Sequence, residues 1–530
     1  MNIPSDNGSG TGLNSKKFQE FRLYFVSNSI PQRIVVTLFC SVGAILISGL
    51  WTSMDRMLME KKEILLLNQT TETTSPPADP TTNELVVAQV SHCIAYTVSL
   101  VPMGMMADKY GVKNTYLAGM TMASVVSLML PLFSVYFSWS LLSLCIIFLG
   151  ISQSVIHIAE AVMLAHWAPS SERACLGGFV FGANPFGYGF GHMLCWIVLY
   201  YKAKWFSLNL FWGFAGLVWC FLYLMCIYED PSDNPHIASK ERQLLHKQLP
   251  PKTIRILPPW KEIMMTKCIW ALLLGQMGHE ATMFIMILPI LSYTWWYKKA
   301  NISFIGFDSL TSEVACLFLL FSCTGLWLMS VSVGVVADHG VTRFRWDLRK
   351  TRRITTCLGF ILSNPLLLVM VNAPEDSAVS KISYVTAALM KGAHYSSFQV
   401  NFMDITRNFP GFVLSIMLLG GNIANFMILI CIRASAPNVD FKEFCAILVI
   451  ATALMVACVC LMNVKRPAWD YSNEGEYQGE VQTRAREVTF TFDQDNHVEE
   501  YSMEDTMSSV SNFNAENNTN INNYATFTEE

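Results

Sequence analysis

Charge is scarce in this sequence. Only 14% of its residues are Asp, Glu, Lys or Arg, where a water-soluble chain carries about 25%. The formal net charge of −4 is small for 530 residues and argues against a nucleic-acid partner. The first thirty residues lack the short apolar core and cleavage site of a signal peptide, and read as a polar tail. No nucleophile–base pair and no phosphate-binding loop can be drawn, so neither an enzyme nor a cofactor is expected. A CxxC pair with His partners is also missing, which leaves no metal site to expect. Cysteine itself is not lacking, but nearly all of the fifteen, such as Cys40, Cys145, Cys195, Cys323 and Cys458, lie inside apolar runs. There cysteine is a small packing residue rather than half of a disulfide.

What the chain has in quantity is long apolar runs. At about 1.5 Å per residue, the first of them, 34–54, is long enough to cross a bilayer. Five more follow at roughly 85–107, 114–134, 138–165, 175–200 and 207–227. A polar stretch interrupts them, and six others fall at roughly 268–296, 311–337, 354–372, 382–403, 410–433 and 441–463. The expected fold is an all-α membrane protein of twelve transmembrane helices in two pseudo-symmetric six-helix bundles. The boundaries are a tail 1–33, a first bundle 34–227 with an outer loop 55–84, a central loop 228–267, a second bundle 268–463 and a tail 464–530. The last of these is acidic, Asn-rich and poor in aliphatics, as a disordered or partner-binding extension would be.

A short motif is repeated at matching places in the two halves. Between the second and third runs stands Gly104 to Lys113, GMMADKYGVK, and between the eighth and ninth stands Gly334 to Gly340, GVVADHG. In both, an Asp follows a Gly by four residues, giving Gly104 with Asp108 and Gly334 with Asp338, and another glycine such as Gly111 comes just after. The glycine permits close helix approach, and the Asp can face a neighbouring helix N-terminus or an Arg. Lys109 and Lys113 fall at the membrane surface. A repeated small-residue turn between pairs of apolar runs suits a two-fold repeated membrane protein whose halves move against each other.

Orientation follows from the basic residues. The central loop holds Lys240, Arg242, Lys247, Lys252, Arg255 and Lys261, and a later one holds Arg343, Arg345, Arg349, Lys350, Arg352 and Arg353. Both lie on the side of the N-terminus, so both termini are expected in the cytosol. The sequons at Asn68 and Asn301 fall on the opposite side, as glycosylation requires, whereas the sequon at Asn517 falls in the cytosolic tail. Arg56, Lys61 and Lys62 on the outer side weaken the bias without reversing it. No acidic dileucine in the tails decides between plasma membrane and vesicle or lysosome membrane.

Two halves, a GxxxD turn with its echo and a basic central loop resemble the major facilitator superfamily. Several strings narrow the resemblance: His166-Trp167-Ala168-Pro169 with Ser171-Glu172-Arg173, Glu229-Asp230-Pro231 through Ile237 with Glu241, Pro259-Trp260, Asn401 with Asp404-Ile405, and Pro467-Ala468-Trp469. Over residues 34 to 470 the chain is similar to the anion transporter family of sialin, the vesicular glutamate transporters and the phosphate-linked sodium cotransporters. The resemblance implies a symporter in which two halves rock about a central cavity. It also exposes a departure. Trp51, Gln153, Ala161, His279 and Phe402 stand where many members carry Arg, Glu, His, Arg and His, so the family's substrates do not carry over.

Other polar residues occupy the same runs, and a charge inside a membrane is costly enough to require a partner or a function. Gln153, His157 and Glu160 share one helical face in the fourth run. Gly178, Gly182, Gly187, Gly189 and Gly191 mark the fifth as a close-packing helix, with Asn184 its polar candidate. His279 and Glu280 stand in the seventh with Gln276, and Lys391, His394 and Asn401 in the tenth with Tyr395. Either these residues line the cavity, with Lys391 and a His meeting an anion and Glu160 or Glu280 carrying a coupling proton or sodium ion, or they pair internally and join the halves. The expected function is secondary active transport of a small organic or inorganic anion. The alternatives are transport of a neutral or zwitterionic solute, and a non-transporting sensor working through partners of its tails.

Overall fold

The computed structural model describes residues 30–72, 80–136, 139–202, 206–235, 237–249, 257–291, 312–373, 377–435, 441–467 and 469–470. The sequons at Asn301 and Asn517 and nearly all of the two tails lie outside them. Every described element is helical, as a membrane requires of a chain that forms no closed barrel.

The first half contains α1 (Gln32–Glu72), α2 (Pro80–Tyr110), α3 (Val112–Tyr136), α4 (Trp139–Trp167), α5 (Arg173–Phe181), α6 (Ala183–Tyr200) and α7 (Phe206–Cys226). The central segment carries a 3-10 turn and two short helices, α8 (Ser239–Gln248) and α9 (Trp260–Met264). The second half contains α10 (Lys267–Leu291), α11 (Ser312–Arg343), α12 (Leu348–Ile361), α13 (Ser363–Asn372), α14 (Ala378–Tyr395), α15 (Asn401–Ile405), α16 (Pro410–Ser435) and α17 (Phe441–Leu461).

Two expectations are corrected. The polar stretch 55–84 is not a loop over most of its length, because α1 runs on to Glu72 and α2 begins at Pro80. The residues just beyond the apolar run, such as Met57, Leu58, Glu60, Lys61 and Leu65, are good helix formers, and polarity alone does not end a helix. Asn68 therefore sits in helical backbone. The fifth and ninth runs are each two helices, interrupted at Gly182 and Leu362, and the tenth ends at Tyr395 in a turn that leads to α15. Among the described residues, nine of the twelve expected runs form helices long and apolar enough by themselves to cross a membrane. The three runs that fall short are those of α5 and α6, α10 and α14. These are the runs that carry Asn184, His279 with Glu280, and Lys391 with His394.

Packing follows the sequence halves, with two meeting lines between them. α2 lies against α16, and α5 and α6 lie against α11. Glycines set both distances. A Cβ on Gly104 would fall 2.5 Å from the Gly411 carbonyl oxygen, and one on Gly334 would fall 2.6 Å from that of Ala174. Backbone cannot move aside as a side chain can, so both positions need glycine for the halves to touch.

Candidate functional site

The repeated turn forms a reciprocal lock. α2 ends on Tyr110, and Gly111, at φ 101°, takes the left-handed conformation that lets α3 start at once. This places Asp108 at the foot of α16 in the other half, where Oδ1 accepts the Gly411 N–H at 2.9 Å and Oδ2 that of Phe412 at 2.8 Å. The second copy does the same in the opposite sense. Asp338 on α11 accepts the N–H groups of Ala174 and Cys175 at 3.1 and 2.8 Å, at the foot of α5. Each carboxylate satisfies orphan donors of a first helical turn and meets its positive dipole end. Lys113 lies over the Tyr228 ring at 5.5 Å, turned toward the central segment rather than the lock.

Ion pairs reinforce the same end of the molecule. Asp404 on α15 is bonded by Arg173 of the first half at 2.8 Å and by Arg352 of the second at 2.9 Å, with all three side chains buried. The Arg407 guanidinium donates to the Ala165 carbonyl across the halves at 2.8 Å. Burial, with Arg173 close by, brings the Arg407 group down to about 10, so it stays charged at neutral pH. Glu241 of α8 accepts the Gln32 and Arg33 N–H groups, while Arg33 also bridges to Glu172 at 2.7 Å. The central segment is thereby pinned to the first half. Of these residues, the sequence pattern marks Arg173, Asp404, Glu172 and Glu241 only as parts of family strings, and Arg352 only as a topology signal.

A polar cluster lies deeper, between the halves. In the first half, Asn184 Nδ2 donates to Glu160 Oε1 at 2.9 Å, and Tyr96 Oη and His157 Nδ1 are hydrogen-bonded at 3.0 Å. The His92 ring on α2 lies 4.2 Å from that of Trp51, centroid to centroid. In the second half, Glu280 accepts from Gln276 at 2.9 Å and from Asn425 at 3.3 Å. Tyr96 stands on α2 and Asn422 on α16, two helices that meet between the halves. Gln153, His157, Asn184, Glu280, Tyr96 and Asn422 are half-buried. Glu160 is only 2% exposed, and its Oε2 has no hydrogen-bond partner among the described residues.

The other predicted residues form a sealed layer. Lys391 and His394 are fully buried and His279 and Asn401 nearly so. The His279 and His394 rings stack with centroids 4.0 Å apart and planes within 5°. Two imidazolium charges so close would repel strongly, so at most one ring can be charged. Lys391 Nζ has no hydrogen-bond partner among the described residues, and Glu280 is the carboxylate it feels. Neither Glu160 nor Glu280 makes a direct ion pair with it. The expected set thus divides by burial: Gln153, His157, Asn184 and Glu280 are half-buried, while Glu160, His279, Lys391, His394 and Asn401 are buried. Tyr96 was missed as a single polar residue in an apolar run, and Asn422 and Asn425, three apart on α16, because uncharged amides were not weighed in that run.

A profile of the Major Facilitator Superfamily matches residues 64–428. The chain belongs to that superfamily. Its curated relatives include a putative inorganic phosphate cotransporter of Drosophila ananassae, 25% identical over 393 residues, 72% of this chain and 79% of the relative. Another is sialin of Ovis aries, 22% identical over 363 residues, 68% of this chain and 71% of the relative. Among solved structures, the fold is similar to that of the proton:xylose symporter XylE bound to 6-bromo-6-deoxy-D-glucose. The TM-score is 0.57 at 12% identity, covering 84% of this chain and all of that one. The superfamily chain is a multi-pass membrane transporter and not an enzyme.

Proposed function

We propose that this protein moves a small organic or inorganic anion across a membrane by alternating access, coupled to a proton or sodium gradient. The observation that carries the reading is the reciprocal capping of α16 by Asp108 and of α5 by Asp338. Hydrogen bonds from a carboxylate to a helix end can be broken and remade, so they suit a lock that opens once per cycle. The anion is inferred from relatives named for inorganic phosphate cotransport and for anion transport. Gln153, His157, Asn184 and Glu280 face the solute, and Glu160 or Glu280 carries the coupling cation. Lys391, His279, His394 and Asn401 act from behind, reaching the solute only when the halves rearrange. By the distribution of basic loops, the locked end and both termini are cytosolic, and Asn68 and Asn301 are glycosylated on the other side.

A second reading has its own observation. No Arg is among the described residues of the polar cluster, which holds two carboxylates, Glu160 and Glu280, and one buried lysine, Lys391. A neutral or zwitterionic solute fits that balance better than a strongly charged anion. Uptake by reconstituted vesicles, screened over anions and amino acids with imposed pH, sodium and voltage gradients, tests both. Flux of anions alone supports the first reading and flux of zwitterions the second. Absence of flux with every solute would favour a non-transporting sensor.

A further inference from the structure

Several contacts between the halves converge on one short connection, 406–409, and on the helix ends beside it. Asp404 receives Arg173, Arg407 donates to the Ala165 carbonyl, and the Gly411 and Phe412 N–H groups are taken by Asp108. A connection with this task must hold one geometry. Its own N–H groups, lying outside regular helix, need acceptors.

Two of the four, those of Arg407 and Asn408, find theirs beyond the last described helix. Asp470, fully buried, accepts the Arg407 N–H at Oδ2 at 3.0 Å and the Asn408 N–H at Oδ1 at 3.2 Å. The Thr406 hydroxyl donates to its Oδ1 at 2.8 Å and in turn accepts the Phe409 N–H at 3.1 Å. Asn408 Nδ2 donates to the Asp470 carbonyl at 2.7 Å, and Arg466 pairs with Oδ2 at 2.6 Å. Beside it, the Trp469 indole donates to Thr266 Oγ1 at 2.9 Å, and its ring meets that of Phe409 at 6.4 Å. One carboxylate thus shapes the whole connection while touching neither Asp108 nor Arg173 in the bonds that join the halves.

We propose that Asp470 is a positioning residue for the lock: the segment after α17 clamps connection 406–409 so that Arg407 and the foot of α16 meet the first half, and its release favours opening of that end. The proposal rests on reading the Asp108 and Asp338 caps as a reversible lock. It gives the start of the C-terminal tail a place in the transport cycle, since whatever pulls on or modifies the tail acts next to the clamp.

Hydrogen exchange read by mass spectrometry, on the full chain in lipid nanodiscs, tests it. Asp470→Asn should raise exchange about tenfold or more at Gly411 and Phe412, the scale for losing a hydrogen bond to a charged group. It should also raise exchange at Ala174 and Cys175, whose N–H groups are held by Asp338 and not by Asp470. Arg466→Gln should act in the same direction and more weakly. If Asp470→Asn does not fold, Arg466→Gln and Thr406→Val decide the matter at the same two sites. A rise confined to 406–412 would mean that Asp470 is only a local cap and would overturn the proposal, as would no rise at all. Asp338→Asn in the same assay should loosen Gly411 and Phe412. If it does not, the lock reading itself fails, whatever Asp470 does.

Discussion

Asp108 accepts the Phe412 N–H at 2.8 Å across the two halves, and Asp338 accepts that of Cys175 at the same distance in the opposite sense. Neither bond holds a half together. Both act between halves, at helix ends that carry orphan donors.

The first prediction follows from the geometry of a single substitution. Asp108→Asn keeps one oxygen to accept one N–H but turns an amide toward the other and removes the charge. The loss at a helix N-terminus is typically about 0.3–1 kcal/mol and up to about 2, or a shift of up to about thirtyfold toward the open state. Asp338→Asn should give a similar shift, and the double variant should exceed either. Distances between spin labels on α5 and α11 and on α2 and α16 would report it; unchanged distributions would mean that the caps do not govern opening.

A second prediction concerns the glycines beside those caps. Gly104→Ala and Gly334→Ala would place a methyl 2.5 and 2.6 Å from backbone oxygens of the opposite half. Overpacking of this kind costs about 1–3 kcal/mol, and it is relieved if the halves part. Both variants should therefore populate the open state, seen in the same distance measurements. Gly325→Ala is the control, because its Cβ meets only the Leu389 side chain within one half. An equal effect from that control would point to general destabilisation.

Asp404 joins stability to gating and allows a third prediction. Removing one member of a buried ion network costs about 3–5 kcal/mol, because the charges left behind are uncompensated. Asp404→Asn leaves Arg173 and Arg352 in that position, so it should lower the thermal unfolding temperature of the purified protein. Arg352→Gln should do likewise, since its partner lies in its own half. Arg173→Gln should cost less stability and more closure, because its bond crosses between halves. Equal melting of the two Arg variants would contradict this division.

These residues also show how far the sequence could be read. Asp108 and Asp338 were legible because the Gly and Asp recur at fixed spacing, and the helix N-terminus was a foreseeable partner. Which N-terminus was not, because the acceptor and Phe412 are 304 residues apart. Helical spacing puts Gln153, His157 and Glu160 on one side of α4, where His157 meets Tyr96 of α2 and Glu160 meets Asn184 of α6. The same reasoning could not tell that Lys391 and His394 are sealed, since a polar residue turned from lipid can face either a solute or a neighbouring helix. The extension of α1 to Glu72 was missed because charge was read as a loop, although these residues favour helix. Asp470 carried no signal at all, since its partners are backbone groups of a distant connection.

The last prediction separates coupling from binding. Glu160→Gln is nearly isosteric and still offers Oε1 to Asn184, so it removes charge and proton exchange with little repacking. If Glu160 carries the coupling ion, gradient-driven uptake should fall by the size of an ordinary coupling free energy, about 5- to 150-fold. Exchange of solute across the membrane without a gradient should persist, because alternating access remains. Glu280→Gln should differ, because Glu280 is half-buried at the interface and organises Gln276 and Asn425. There both driven uptake and exchange should fall, as expected of a residue that also meets the solute. Lys391→Met tests the sealed layer. It removes a buried amino group that has no hydrogen-bond partner among the described residues, so the fold should tolerate it, and any loss of uptake would come through Glu280 or through the solute that Lys391 reaches when the halves rearrange. Surface-expressed Glu160→Gln and Lys391→Met proteins that transport as the wild type does would remove both residues from the mechanism.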